Sequence, residues 1–276
     1  MRRNCQQLPF IKMHGAGNDY VFVDALESPR PEDPVQLARR ISDRHTGIGS
    51  DGLIVLAPPE CEASDVRMLM WNADGSRGHV CGNGIRCVAL WMDLTKRTSG
   101  ECRIQTDART IMVKRRQFCM ETRIGNYSAL MGRPSLRRIV SVPLPSRTIQ
   151  CHGISMGNPH AVIWTTDLST EHVHDLGPQL CQHDLFPDGV NVEFAHILNN
   201  SAVKVRVWER GSGETEACGS GACAVVADAV EEGIFPPDTD VDVHLPGGIL
   251  TIRVTTQGVV MAGPAAVVFE GRIKIN

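Results

Sequence analysis

The chain lacks several features that would assign it to common functional classes. It contains 276 residues and no run of about 18 apolar residues, so we expect no transmembrane helix. Two arginines stand near the N-terminus without an apolar segment behind them, which argues against a signal peptide. The formal net charge is -3, so no broad basic field is available for nucleic acid. These absences favour a cytoplasmic protein that binds neither membranes nor nucleic acids.

The ten cysteines also lack the patterns of a metal site or a disulfide framework. Paired C-x-x-C spacing is absent and no histidines stand at zinc-finger spacing, so we expect no structural metal. Thiols stay reduced in the cytoplasm, so these cysteines are core residues or reactive groups. Six without a matching partner elsewhere in the chain are expected to be inert: Cys5, Cys61, Cys102, Cys119, Cys151 and Cys181.

What the sequence does contain is an internal duplication. Four pairs recur in the same order in both halves: Asn18 and Asn158, Asp51 and Asp188, Trp71 and Trp208, and Cys81 and Cys218. The first pair is separated by 140 residues and the other three by 137. Two long repeats predict two similar lobes, with a tandem repeat whose halves share no site as the alternative. We expect an N-terminal lobe over 1–127, joined by a strand from 265–276, and a C-terminal lobe over 128–264.

Hydrophobic patterning predicts a strand-rich α/β fold with four helices. Short alternating segments predict strands in both halves. Longer periodic segments predict helices at about 34–44, 82–94, 169–181 and 219–232. The segment 123–138 is expected to connect the lobes. One prominent helix follows each of the duplicated cysteines.

Cys81 and Cys218 each stand directly before Gly-x-Gly and a predicted helix. The positive end of the helix dipole lowers the pKa of a thiol there, and the glycines let backbone N–H groups approach a carboxylate. If the lobes face each other across one substrate, the two sulfurs flank the carbon beside its carboxylate. One thiolate would then remove a proton and the other thiol would return one, while the N–H groups stabilise the carbanion.

The two cysteines inside the predicted helices are expected to be structural, and disulfide chemistry is the alternative for the duplicated pair. Cys87 and Cys223 lie one to two turns into the predicted helices and are not duplicated, so we expect both to pack in the core. A redox-active disulfide couple between Cys81 and Cys218 is the main alternative to acid–base catalysis.

Polar residues recur around the duplicated cysteines. Asn18 and Asn158 follow a glycine beside a strand, where they contact a ligand or simply form a turn. Asn72 and Glu209 occupy matched positions nine residues before each cysteine. Three further candidates lie in the second half. Arg210 is suited to pairing with a carboxylate, and Asn191 offers an amide. His160 is either a base or a neighbour packed against one.

Six segments together resemble the diaminopimelate epimerase family. They are KMHGAGNDYVFVD, DRHTGIGSDGLI, WNADGSRGHVCGNGIRCVA, SMGNPHAV, GVNVEF and ERGSGETEACGSGACA. The resemblance runs from about residue 10 to the final GPAAVVFEG. It implies two pseudo-symmetric α/β lobes, each a strongly curved, mostly antiparallel sheet wrapped around a central helix. It also implies a homodimer that needs neither pyridoxal phosphate nor a metal.

The same resemblance implies an activity and roles for individual residues. Family members interconvert LL- and meso-2,6-diaminopimelate for lysine and peptidoglycan synthesis. By motif position, Cys81 and Cys218 carry over as the acid/base pair, and His160 and Glu209 help to hold the thiols in their working protonation states. The implied substrate contacts are Asn18, Asn72, Gly82, Asn83, Asn158, Asn191, Glu209, Arg210, Gly219 and Ser220.

The sequence departs from the family pattern at a few positions, and other functions remain as alternatives. Arg77 and His79 stand before Cys81 where acidic residues are common, and added positive charge there would favour thiolate. Phe269 stands where an interfacial tyrosine is frequent, which keeps an aromatic ring for dimerisation. Relatives with the same two-thiol plan act on histidine or hydroxyproline, and a redox-sensing binding protein is the non-enzymatic alternative.

Overall fold

A computed structural model describes residues 6–27, 29–78 and 80–275 of the chain. Cys5 and His79, both named above, lie outside the described residues. The chain divides into two compact units. The N-terminal unit runs to Ala129 and includes the chain from Pro264 onward, and the C-terminal unit is Leu130–Gly263. The sequence places these divisions at 127–128 and 264–265. Within the described ranges, none of the helices has the length and apolarity needed to cross a bilayer.

Both units combine strands with two helices each. The helices are α1 (Pro34–Ser42), α2 (Gly82–Leu94), α3 (Thr170–Cys181) and α4 (Gly219–Glu231). The strands as far as residue 130 are β1 (Gln6–Gly15), β2 (Asn18–Asp24), β3 (Gly52–Ala57), β4 (Val66–Asn72), β5 (Arg77–Gly78), β6 (Glu101–Gln105), β7 (Thr110–Cys119) and β8 (Ile124–Leu130). The others are β9 (Ser135–Pro143), β10 (Thr148–Ser155), β11 (Pro159–Trp164), β12 (Asn191–Asn199), β13 (Ala202–Glu209), β14 (Gly213–Thr215), β15 (Val241–Leu245), β16 (Gly248–Thr255) and β17 (Gly258–Ile275).

The sheet of the N-terminal unit surrounds a central helix. Strands β1 and β2 are antiparallel, β2 and β3 parallel, β3 and β4 antiparallel, and β4 and β6 parallel. Two antiparallel pairs, β6–β7 and β7–β8, continue the sheet, and β17 pairs with both β8 and β1. Helix α2 packs inside this ring, and every residue from Gly82 to Asp93 is buried. Helix α1 packs on the opposite face, against β3 and β4.

The C-terminal unit repeats the same order of pairings. Strands β10 and β11 are antiparallel, β11 and β12 parallel, β12 and β13 antiparallel, and β13 and β15 parallel. The pairs β15–β16, β16–β17 and β9–β10 are antiparallel. Helix α4 packs against β10, β11, β12 and β16, while α3 packs against β12 and β13. The shared topology confirms the internal duplication and the α/β fold predicted from the sequence.

Helix caps explain why the predicted helix bounds were accurate. The side chains of Asp33 and Ser169 each accept a hydrogen bond from a first-turn N–H group, at the starts of α1 and α3. The corresponding N-cap of α2 is Cys81, and that of α4 is Cys218. Both duplicated cysteines are therefore positioned by the helix that follows them.

The expected connection at 123–138 contains the division between the units, which falls between Ala129 and Leu130, and it is built of strands: β8 and the start of β9. In β8 the residues Gly125, Tyr127 and Ala129 are buried and alternate with more exposed ones. Tyr127 donates a 2.8 Å hydrogen bond to Asp93 of the central helix. This period-two pattern, with its buried tyrosine, is a strand signal that the sequence analysis did not use for this segment.

Candidate active site

The N-terminal half-site is the hydrogen-bonded group at the start of α2. Cys81 has an extended backbone (φ −135°, ψ 114°), and its sulfur accepts a 3.3 Å hydrogen bond from the N–H of Gly84. The thiol donates to Oδ1 of Asn18 at 3.4 Å, and Nδ2 of Asn83 donates to the same oxygen at 3.1 Å. Asn18, Cys81 and Asn83, which the sequence predicted to act together, are thus in direct contact.

A carboxylate fixes the orientation of Asn18. The Asn18 amide donates to Oδ2 of Asp51 at 2.6 Å, and the Asp19 N–H donates to the same oxygen at 3.0 Å. Arg44 donates to the other carboxylate oxygen at 3.0 Å. Burial, reinforced by the charge of Asp19, raises the pKa of Asp51 above its ordinary value. A carboxylate only accepts hydrogen bonds, so Asn18 must turn its NH₂ group to Asp51, and its amide oxygen then faces Cys81.

Asn72 and Arg77 lie near the end of β4 in other contacts. The amide of Asn72 donates to the hydroxyl of Ser76 at 2.9 Å, within the turn that follows β4. Arg77 donates to Asp107 at 2.7 Å, and its guanidinium lies 4.2 Å from the ring centroid of Trp71. The charge of Arg77 is therefore compensated locally, which weakens the effect that we expected it to have on Cys81.

The C-terminal half-site has the same layout at the start of α4. The sulfur of Cys218 accepts from the N–H of Gly221 at 3.4 Å and lies 3.5 Å from the hydroxyl oxygen of Ser220. The amide of Asn158 donates to that hydroxyl oxygen at 3.3 Å. Ser220 and Asn83 both stand two residues after their cysteine. Each contacts an asparagine that begins or directly precedes the equivalent strand, Asn158 before β11 and Asn18 in β2, and we call these two the strand-start asparagines.

His160 continues the C-terminal half-site into the protein interior. Its Nε2 lies 3.1 Å from Oδ1 of Asn158, and its Nδ1 lies 2.6 Å from Oε1 of Glu193. The side chains of His160 and Glu193 are both fully buried. Burial raises the pKa of Glu193, although the imidazole opposes that shift. His160 is therefore placed near Cys218 through Asn158 and Ser220, as one member of a buried pair that the sequence interpretation missed.

The electrostatic surroundings of Cys218 favour the thiol over the thiolate. Burial is the main cause, and the negative charges of Glu209 and Glu193 add to it, so the pKa of Cys218 lies well above its ordinary value. Hydrogen bonds from Ser220 and Gly221 act in the opposite direction but are weaker. Glu209 itself accepts a 2.5 Å hydrogen bond from the hydroxyl of Thr215.

Asn191 and Arg210 meet at the edge formed by β12 and β13. The backbone N–H of Arg210 donates to Oδ1 of Asn191 at 2.9 Å, and its guanidinium donates to the carbonyl of Asp188 at 2.5 Å. Asn191 is buried and Arg210 is exposed. A carboxylate could approach the guanidinium from solvent, in keeping with the expected role of Arg210.

The other cysteines divide into buried and exposed groups. Burial raises the pKa of Cys87 and Cys102 to about 12 and that of Cys151 to about 11, so these remain thiols at neutral pH. Of the six unmatched cysteines that we expect to be inert, Cys119 is exposed, so burial does not protect it. Hydrogen bonds from Thr122 lower the pKa of Cys119, which makes it more reactive. Cys61 is exposed as well.

A cluster with metal-like composition lies in the C-terminal unit, at His152, Asp228 and Glu232. Asp228 is already engaged by Arg137 at 2.9 Å and by the imidazole of His152 at 2.7 Å, and it also accepts from the indole of Trp164 at 2.7 Å. Glu232 is also paired with Arg137. The guanidinium supplies the positive charge here, so the cluster is an ionic network around the buried Asp228 that anchors α4.

The fold is shared with solved structures that include a racemase, an epimerase and phenazine biosynthesis proteins. A hydroxyproline epimerase from Agrobacterium vitis, solved with trans-4-hydroxy-L-proline, superposes with a TM-score of 0.73 at 14% identity, covering 100% of this chain and 94% of its own. A PhzF-family phenazine biosynthesis protein from Bacillus anthracis gives 0.74 at 14% identity, covering 98% and 100%. At such identities the likeness is one of fold.

Sequence comparison identifies the family within that fold class. The family model for diaminopimelate epimerase matches residues 10–128 and 153–268. A diaminopimelate epimerase from Bacillus cytotoxicus is 41% identical, covering 96% of each chain, and one from Ectopseudomonas mendocina is 38% identical, covering 97% of this chain and 99% of its own. The chain belongs to the diaminopimelate epimerase family and is an isomerase of the epimerase type.

Proposed function

We propose that the protein interconverts LL- and meso-2,6-diaminopimelate by a two-base reaction at the α-carbon. One of the two thiols, ionised as thiolate, removes the α-proton, and the other delivers a proton to the opposite face. Cys81 and Cys218 exchange these roles in the reverse direction. The product serves lysine and peptidoglycan precursor synthesis.

The observation that carries this proposal is the duplicated cysteine cap. Each half-site places a sulfur at the N-cap of a buried helix whose next residues are Gly-Asn or Gly-Ser. The N–H groups and dipole of such a helix turn are suited to a carboxylate and to the negative charge that develops when its α-carbon loses a proton. Gly82, Asn83, Gly219 and Ser220 are accordingly proposed to bind the reacting end of the substrate.

The remaining polar residues are proposed to act on the thiols and on the second amino-acid head of the substrate. Glu209 and His160 bias the protonation of Cys218, one by its charge and the other through Asn158 and Ser220. The proposed contacts with the distal head and the substrate backbone are Asn18, Asn72, Asn158, Asn191, Glu209 and Arg210. A ligand with two amino-acid heads explains why so many amides and one exposed guanidinium accompany the thiols.

We also propose that the protein works as a cytoplasmic homodimer. Phe269 of β17 is 43% exposed and packs edge-to-face on Phe10, with ring centroids 5.8 Å apart. Its neighbour Val268 is 52% exposed. Two adjacent exposed apolar residues on one strand suit a contact with a second copy, and analytical ultracentrifugation of wild type and Phe269→Ala tests it.

Deuterium uptake tests the activity directly. Under reducing conditions in heavy water, LL-diaminopimelate should gain deuterium at one α-position and convert to the meso form. Parallel incubations with histidine and hydroxyproline should show no comparable exchange. Absence of exchange with diaminopimelate in a folded, reduced sample would sink the proposal, and faster exchange with either other amino acid would reassign the substrate.

A further inference from the structure

A continuous chain of polar contacts links a buried carboxylate to the sulfur of Cys218. It runs from Glu193 to His160 at 2.6 Å, from His160 to Asn158 at 3.1 Å, from Asn158 to Ser220 at 3.3 Å, and from Ser220 to Cys218 at 3.5 Å. His160 and Asn158 are among the expected functional residues, but Glu193, at the origin of the chain, is not. The carboxyl, imidazole, amide and hydroxyl groups of this chain each have few donor and acceptor atoms, so the donor and the acceptor of each hydrogen bond can be assigned.

The contacts require a proton on Nε2 of His160. Oδ1 of Asn158 is an acceptor only, so Nε2 must donate to it. Nδ1 of His160 then either carries a second proton that it donates to ionised Glu193, or accepts a proton from neutral Glu193. In both cases the carboxyl group fixes the ring position and Nε2–H faces Asn158. The pair has zero net charge either way, which suits two fully buried side chains.

The orientation of Asn158 decides where the hydroxyl proton of Ser220 can go. With Oδ1 turned to His160, the amide NH₂ donates to the Ser220 oxygen. The Ser220 O–H is then available to donate to Cys218, which stabilises the thiolate when this cysteine acts as base. If the amide were reversed, its oxygen would accept the Ser220 proton and draw it away from the sulfur.

Glu193 also lies directly beneath the cysteine helix. A Cβ atom at Gly221 would stand 2.6 Å from Oε1 of Glu193, so a glycine is needed there. Oε2 of Glu193 is buried without a hydrogen-bond partner among the described residues. A carboxyl group held in an apolar interior with one oxygen unsatisfied is costly, and packing alone does not account for it.

The N-terminal unit shows that packing does not demand a glutamate. In the parallel ladders Phe22 pairs with Ile54 and Val162 with Glu193, and Phe22 and Val162 each stand four residues after the strand-start asparagine. A Cβ atom at Gly84, the counterpart of Gly221, would meet Ile54 at 2.7 Å. An apolar side chain therefore fills the equivalent place beneath α2.

We infer that Glu193 is a positioning residue: by holding Nδ1 of His160 it sets the direction of the hydrogen-bond chain that ends at Cys218. Beside the effect of its charge on Cys218 described above, it acts through His160, Asn158 and Ser220. This inference rests on the proposed function, since its consequence is measured as epimerisation.

Two substitutions separate this role from packing and from charge. Glu193→Leu removes the contact to His160 while keeping an apolar volume like that of Ile54, and kcat should fall on the order of 10- to 100-fold with KM changed by less than about threefold. Glu193→Gln can still donate to Nδ1 and preserve Nε2–H, so it should retain kcat within about fivefold. Glu171→Gln, at an exposed site of α3 in the same unit, is the matched control and should stay within about twofold.

A double-mutant cycle with Ser220→Ala tests the path of the effect. Ser220→Ala cuts the chain next to the sulfur, so Glu193→Leu should then lower kcat by less than about threefold further. Full additivity, wild-type kcat in Glu193→Leu, or a Glu193→Gln variant as impaired as Glu193→Leu would each overturn the inference. If wild type and Glu171→Gln show no epimerisation at all, the proposed function fails instead, so the two failures are distinct.

Nitrogen-15 NMR of histidine-labelled protein keeps the test decisive even if Glu193→Leu does not fold. In the wild type, Nε2 of His160 should be protonated across the active pH range, and Nδ1 should show a strongly downfield proton shared with Glu193. His160→Gln assigns the resonances. An unprotonated Nε2 in folded wild-type protein would overturn the inference without any kinetic measurement.

Discussion

The two half-sites hold equivalent cysteines above different supporting residues. Both cysteines cap a buried helix, and both helices carry at their second position a side chain that contacts the strand-start asparagine. In the N-terminal half-site Asp51 orients that asparagine directly. In the C-terminal half-site a buried histidine does so, with Glu193 behind it.

The difference shows which parts of a duplicated site are held in common and which are not. The cap, the glycines and the asparagine define where a carboxylate and a sulfur can sit, and these recur in both units. The supporting layer determines the charge around each sulfur, and it has diverged. A two-base reaction needs one thiolate and one thiol at the start, so unlike surroundings are an advantage. We expect Cys218 to be the thiol, because burial and two glutamates raise its pKa.

The largest expected effect is the loss of either duplicated cysteine. Cys81→Ala and Cys218→Ala should each lower kcat by about 10³-fold or more, since each removes an acid/base group for one face of the α-carbon. Cys87→Ala and Cys223→Ala, which lie within the same two helices and are fully buried, should keep kcat within about threefold. Epimerisation assays on the four variants check this. Substantial activity in Cys218→Ala would show that Cys218 is not the second acid/base group and that the two half-sites are not functionally equivalent.

A second prediction compares Gly221 and Gly84, the matched helix glycines that pack on different side chains. At Gly221 an added Cβ meets Oε1, Cγ and Cδ of Glu193 within 3.2 Å, whereas at Gly84 the nearest atom is the terminal Cδ1 of Ile54. Ile54 can turn its end away, but Glu193 cannot move without losing its bond to His160. Gly221→Ala should therefore lower the free energy of unfolding by about 2 kcal/mol more than Gly84→Ala. Urea denaturation measures both, and equal losses would contradict the asymmetry.

Thiol alkylation as a function of pH provides a third test. Only thiolate reacts, so the labelling rate of Cys218 should rise about tenfold per pH unit up to pH 9, because its raised pKa leaves the thiol protonated below that. Cys119, whose pKa is lowered by Thr122, is the internal reference and should level off at lower pH. Peptide mass spectrometry after brief iodoacetamide treatment reads both rates. A plateau for Cys218 below pH 8 would mean that its surroundings favour thiolate.

How much of this could be predicted from sequence depended on the kind of signal. The helix over 82–94 was predicted with its exact bounds because Cys-Gly-x-Gly marks its start and an apolar run follows. The duplicated cysteines and asparagines were found because the pairs recur in the same order at nearly the same offset, 137 residues for the cysteines and 140 for the asparagines. Glu193 was missed because it stands within the strand segment VNVEF, where alternation predicts only which face a residue occupies. Its partnership with His160 depends on the parallel pairing of β11 with β12, which a single sequence does not show.

The smallest expected effect separates the two aspartates that the sequence pairs. Leu53 lies opposite Trp71 and Val192 opposite Trp208, so Asp188 stands two residues before the position that matches Asp51. Asp51 accepts from both Asn18 and Asp19 through one oxygen and from Arg44 through the other, whereas Asp188 is exposed. Asp51→Asn leaves only one acceptor oxygen for these donors, so Asn18 is held less firmly and kcat should fall by about three- to tenfold. Asp188→Asn keeps the backbone carbonyl that binds Arg210 and should leave kcat within about twofold. Steady-state kinetics on both variants decides whether the orientation of Asn18 matters, since equal effects would show that kcat does not depend on the contact between Asp51 and Asn18.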